Sequence, residues 1–132
     1  MTLPLHTGRQ VRAQVLLCQG CCCGRVDRGR PPVPIDWIKQ QWKELKLAKH
    51  VQLTVSGCLG PCDVPNIVLL LTPSDQIWLG RLTDLEHYQP IVDWAARFAH
   101  SEQPADLPES LYAHRLDPFA DACPSIAAPA AS

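Results

Sequence analysis

Apolar and polar positions change period several times along the chain, and each change marks an element. Residues 11–17, Val-Arg-Ala-Gln-Val-Leu-Leu, alternate and end apolar, which predicts a strand. The run from Gly24 to Pro34 is crowded with turn formers and predicts a loop. Ile38, Trp42 and Leu45 then recur at spacings of four and three, so a helix with one apolar face is expected from an Asp36 cap to about Lys49. Lys43, Lys46 and Lys49 suit the negative end of its dipole. Residues 51–55, Val-Gln-Leu-Thr-Val, alternate as a half-buried strand. Residues 66–71 read as a buried strand, Thr72 to Asp75 as a turn, and Gln76 to Leu79 as the returning arm of a hairpin. A last helix is expected over 84–99, with Thr83 and Glu86 at capping-box spacing and a kink or restart at Pro90. The order is β-α-β-β-β-α. Two strands joined through a helix predict a parallel pair, and the hairpin adds antiparallel strands.

Length and composition agree with one α/β domain. The chain has 132 residues, 46% hydrophobic and 19% charged, which is ordinary for a globular protein and argues against wholesale disorder. We expect a flexible N-terminus over 1–10, the domain over 11–100, and a Pro/Ala-rich tail over 101–132, extended or disordered, carrying Pro104, Pro108, Pro118, Pro124 and Pro129. The longest aliphatic run, Ile67 to Leu71, is too short for a bilayer, which takes about 20 residues. The first residues lack the pattern of a signal peptide, so a cytoplasmic protein without a membrane partner is expected. Net charge is −1, and no basic aromatic platform stands out, so nucleic acid is not expected as a partner. Charge is nevertheless uneven. Residues 1–63 hold nine Lys/Arg against four Asp/Glu, and residues 64–132 hold three against nine.

Cysteine usage changes the picture most. Cys18, Cys21, Cys22, Cys23, Cys58 and Cys62 all fall in the basic half, with Cys123 alone in the tail. An odd count and three consecutive cysteines fit a disulfide framework poorly and point to metal or redox chemistry. Both groups follow predicted strands. If those strands are parallel neighbours, the groups meet on one edge of the sheet. Four thiolates from two loops can hold an iron–sulfur cluster. Gly24, Gly57 and Gly60 let backbone approach it, Pro61 stiffens the second loop, and Leu59 and Val64 can cover it. Arg25, Arg28 and Arg30 can offset its negative charge and dock a partner.

With those motifs in place, the chain resembles the thioredoxin-like 2Fe–2S ferredoxins and the related small 2Fe–2S subunit of NADH:quinone oxidoreductases. The residues that carry the resemblance are Val15-Leu16-Leu17-Cys18, Gly57-Cys58-Leu59-Gly60-Pro61-Cys62, Ile67 to Leu71, and Ile77-Trp78-Leu79-Gly80. It covers residues 11–99, and its most specific part is Cys-Leu-Gly-Pro-Cys. The resemblance implies a thioredoxin-like α/β fold with a mixed four-stranded sheet and two main helices. It implies one 2Fe–2S cluster, a homodimer, and one-electron transfer to or from a redox partner protein, a reductase or an acceptor enzyme. Short cysteine-rich relatives also suggest a link to cobalamin biosynthesis. Free-standing members space the first two ligands farther apart. The complex subunit's Cys-x-x-x-x-Cys matches Cys18 and Cys23, so the implied ligands are Cys18, Cys23, Cys58 and Cys62. Cys22 is the main rival for the second position and Cys21 a weaker one.

Two other chemistries compete. A structural zinc site would make the chain an interaction module, although only Cys18 to Cys21 has knuckle spacing. Thiol–disulfide exchange through Cys18 and Cys21 would need a helix starting at the first cysteine, and the Gly/Pro-rich run delays one. No catalytic constellation stands out, so the chain is not read as an enzyme. The five histidines show no ligand spacing.

Overall fold

The computed structural model describes residues 5, 7–20, 23–60, 63–101 and 105–119. Strand β1 (Ala13–Cys18) leads through a loop and one 3-10 turn to helix α1 (Ile35–Glu44), then to β2 (Val51–Ser56). Strands β3 (Val68–Leu71) and β4 (Gln76–Leu79) form the hairpin, followed by α2 (Leu85–His100). A six-residue 3-10 helix, Glu109–His114, and a short β5 (Arg115–Leu116) end the described chain. The sheet order is β2-β1-β3-β4-β5. β1 and β2 run parallel, in register from Ala13↔Val51 to Cys18↔Ser56, and the other pairs are antiparallel. A helix-linked parallel pair followed by a hairpin and a helix is the thioredoxin-like arrangement that was expected. Among the described residues no helix is long and apolar enough to cross a membrane.

Register assigns the faces. Ala13, Val15 and Leu17 share a face with Val51, Val68, Leu70, Ile77 and Leu79, and both helices pack on it through Ile38, Trp42, Ile91, Val92, Trp94 and Phe98. Trp42 also donates its indole N–H to the Val51 carbonyl at 2.9 Å, tying α1 to β2. The opposite face carries Leu16, Leu69, Trp78 and Leu116 in one row across four strands. Trp78 is half-buried there, with Phe119 edge-on at 6.0 Å.

Several boundaries differ from the sequence reading. Cys18 belongs to β1 rather than to the loop after it. Helix α1 stops at Glu44, five residues before Lys49. Lys46 turns left-handed at φ 54, Lys46 N–H bonds the Lys43 carbonyl, and Leu47 N–H bonds the Trp42 carbonyl. This is a Schellman stop, and it drops Leu47 into the core fully buried. Asp36 lies in the first turn, and Pro34 is the cap. Helix α2 is capped by Asp84, whose carboxylate accepts from Glu86 N–H at 3.1 Å, while Thr83 N–H donates to His87 Nδ1. Pro90 sits inside α2 without a restart. It removes only a bond to the carbonyl of Glu86, an exposed residue that water can reach.

The sheet has one strand more than the four anticipated, and residues 105–119 do not behave as a loose tail. Leu111 is fully buried in the main core, and β5 pairs Trp78↔Leu116 and Leu79↔Arg115. Near the start, Arg9 is tied to Gln52 Oε1 at 2.7 Å and to the Ala48 carbonyl at 2.5 Å. Residues 120–132, with Cys123, lie outside the described residues.

Candidate metal centre at the ends of the parallel strands

Parallel pairing of β1 and β2 delivers both cysteine loops to the same end of the sheet. Cys18 closes β1 opposite Ser56, and Cys58 stands two residues past that partner. Cys23 returns to Cys18 because the loop folds back on itself. Gly20 and Cys23 form an isolated antiparallel bridge, with Gly20 N–H on the Cys23 carbonyl at 3.0 Å. Gly24 follows at φ 72, and a side chain there would also press on Val33.

Cys18 and Cys23 are each 2% exposed and pack together with Ile67. Burial first, then the Cys18 side chain, pushes the Cys23 thiol up to about 12, and Cys58 adds to the push electrostatically. The Ile67 backbone beside it opposes the shift. A bound cation reverses that balance, because a coordinating thiol is deprotonated outright. Cys58 itself is exposed. Cys62, and the rivals Cys21 and Cys22, lie outside the described residues. Among the described residues no three His, Cys, Asp or Glu side chains assemble into an ion-binding group.

Around the two buried thiols lies an apolar collar. Ile67 is buried with them, and Val33, Leu59, Val64, Trp78 and Leu116 pack against the three. Leu59 and Val64 were anticipated from the sequence. Val33 and Leu116 come from segments read as loop and tail.

Asn66 holds the site's second layer and was missed by sequence reasoning. It is fully buried. Its Oδ1 accepts from Gly24 N–H at 2.7 Å, beside Cys23, and its Nδ2 donates to the carbonyls of Pro31 at 3.0 Å and Leu82 at 3.2 Å. Cys18 N–H bonds the adjoining Ile67 carbonyl at 3.1 Å. One amide thus ties the first cysteine loop, the Pro-rich loop and the lead-in to α2. Tyr88, on α2, is buried in the main core, and that burial pushes its phenol upward.

The three arginines are not equivalent. Arg25 grips Asp27 through two bonds, at 2.7 and 2.8 Å, and holds that carboxyl down at about 2. Arg28 and Arg30 are exposed. Helix α1 begins only at Ile35, well past the cysteine loop, so no described helix opens at Cys18.

No protein-family model matches the chain, and no curated protein is significantly similar to it. Among solved structures it is similar to a cysteine-to-serine variant of the thioredoxin-like [2Fe-2S] ferredoxin from Aquifex aeolicus. There the identity is 14% and the TM-score 0.47, over 80% of this chain and 98% of that one. The wild-type form of that ferredoxin gives 20% identity and a TM-score of 0.43, over 70% and 100% of the two chains. At these values the functional reading rests on the chain's own topology and thiols.

Proposed function

We propose that the chain is a 2Fe–2S ferredoxin, a one-electron carrier that holds one cluster on Cys18, Cys23, Cys58 and Cys62. The observation that carries this reading is the buried pair of Cys18, at the end of β1, and Cys23, in the loop that folds back onto it, with Cys58 delivered to the same end of the sheet by the parallel partner strand β2. Thiolates from these two loops suit a cationic iron core. When bound, the cluster supplies a one-electron couple without proton chemistry of its own. The chain's residues do the rest. The apolar collar excludes water from Cys18 and Cys23. Cys58, the exposed thiol, marks the side from which a partner approaches.

Docking rests on Arg28 and Arg30, since Arg25 is spent on Asp27. Electron transfer should slow with salt and with charge reversal at these two positions, and unchanged partner kinetics would remove them from the interface. A reductase or an acceptor enzyme is the partner class. Cobalamin biosynthesis is the pathway to test first, by gene deletion and cobalamin yield. Homodimerisation is a matter for sedimentation analysis. The cytoplasm is the compartment that suits free thiols.

The deciding experiment is an absorption spectrum of anaerobically purified protein with iron and acid-labile sulfide counted. About two of each per chain, with visible bands bleached by dithionite, establish the carrier. Single replacements of Cys21, Cys22 and Cys23 by Ser then find the second ligand. A colourless protein holding one zinc after attempted reconstitution overturns the reading in favour of an interaction module. Thiol–disulfide exchange is disfavoured because no described helix starts at Cys18.

A further inference from the structure

Residues 24–32 leave the cysteine site as a loop and return to it. Gly24 follows Cys23, and Pro31 and Pro32 lead to Val33 of the apolar collar. Inside, the loop is closed on itself. Arg28 N–H and Arg30 N–H bond the Arg25 carbonyl at 2.9 and 3.1 Å, and Gly29, left-handed at φ 76, bonds the Val26 carbonyl at 3.0 Å. Both feet of the loop stand on one side chain. Asn66 Oδ1 accepts from Gly24 N–H at 2.7 Å, and its Nδ2 donates to the carbonyls of Pro31 at 3.0 Å and Pro32 at 3.4 Å. The first foot is also the peptide that leaves Cys23. Its carbonyl accepts from Gly20 N–H at 3.0 Å, so that peptide is held from both sides. Asn66 is fully buried, so water does not replace these bonds when they open.

We propose that Asn66 is a positioning residue that couples the arginine loop to Cys23: the shape of the loop offered to a partner and the occupancy of the cysteine site depend on each other through this one amide. The inference rests on the cluster reading above. Arg28 and Arg30 stand exposed between the two feet, so a partner that docks on them presses on a loop whose anchor is shared with Cys23. In the other direction, a group held by Cys23 fixes the Cys23–Gly24 peptide and with it one foot of the loop. Such coupling is reciprocal, and each end changes binding at the other by the same factor. The anchor itself does not travel with the loop, because Nδ2 also donates to the Leu82 carbonyl at 3.2 Å, in the segment that leads into α2. With three Arg against one Asp, the loop fits an acidic surface on its partner.

The test is limited trypsin digestion of the full chain, wild type against Asn66→Ala, each with and without iron and sulfide loaded anaerobically. In the loop the cut after Arg28 is followed, since Arg30 precedes Pro31 and trypsin does not cut before proline. Without metal, that cut should be about tenfold faster in the variant, the scale of one lost hydrogen bond. The cut after Lys43, on α1, should keep its wild-type rate. Loading should slow the Arg28 cut several-fold in the wild type and leave the variant's rate unchanged, a difference that a merely structural bond does not produce. An unchanged Arg28 cut, equal acceleration at Lys43, or equal protection by loading in both proteins overturns the coupling and leaves the ferredoxin reading standing. A wild type that takes up no iron overturns that reading, and the unloaded comparison then decides alone whether Asn66 closes the loop. Should Asn66→Ala fail to fold, Asn66→Asp keeps the volume and the acceptor for Gly24 N–H and removes the donors to Pro31 and Pro32. The same pattern is expected of it, and an unchanged cut again overturns the proposal.

Discussion

The main core and the cysteine end are two unequal solutions to burial. The core is dry and broad, joining one face of the sheet to both helices and to Leu111. Among the described residues the cysteine end buries Cys18, Cys23, Ile67 and Asn66 behind partly exposed apolar neighbours, and the Asn66 amide joins its separate loops. The first gains its stability from area and needs no ligand. The second consists of loops brought together by strand register. The fold is therefore expected to persist without metal, while the loops respond to it.

Removing a core aromatic tests the first half of that contrast. Trp94 is fully buried against Phe98, at a ring separation of 4.6 Å. Trp94→Ala should cost about 3 kcal/mol or more and lower the whole melting transition, read by circular dichroism. Relief of its unpartnered indole N–H returns a little of that. Asn66→Ala should cost less, about 1–3 kcal/mol, and locally. Hydrogen exchange should accelerate at Gly24 while the Val15 and Leu70 amides stay protected. Equal acceleration in both places would mean that the two regions unfold as one. The smallest effect belongs to the Arg25–Asp27 pair. Asp27 is held at about 2 against an ordinary 3.8, so its contribution is present above pH 3.8 and is lost as pH falls through 2. The pair lies at the surface, so chemical-shift titration of Asp27 should show it, while the melting temperature barely changes in salt.

Much of the fold was legible because it is written in short periods. Alternation in Val51 to Val55 and the helical spacing of Ile38 and Trp42 each need only local reading, and the parallel pair then places Cys18 near Cys58. What escaped was set by distant contacts. Lys46 looks like a good helix former, yet the helix ends there so that Leu47 reaches the core. Asn66 reads as the first residue of a buried strand, and its role as a hydrogen-bonding hub arises only where three segments meet. Leu111 and Leu116 are isolated apolar residues among prolines, without a period to betray them.

β5 also decides how this protein meets copies of itself. Unpaired strand edges recruit other strands, and sheets commonly end in a guard. Here Arg115 and Leu116 close the β4 side, with Gly80 N–H on the His114 carbonyl at 2.8 Å extending the seal. Across the sheet, β2 has a neighbour only in β1 among the described strands. There Arg9 lays a positive charge over Gln52 and Ala48. One flank is shut by backbone and the other is policed by charge. Edge-to-edge growth thus meets a strand of only two residues at one end and a charge at the other.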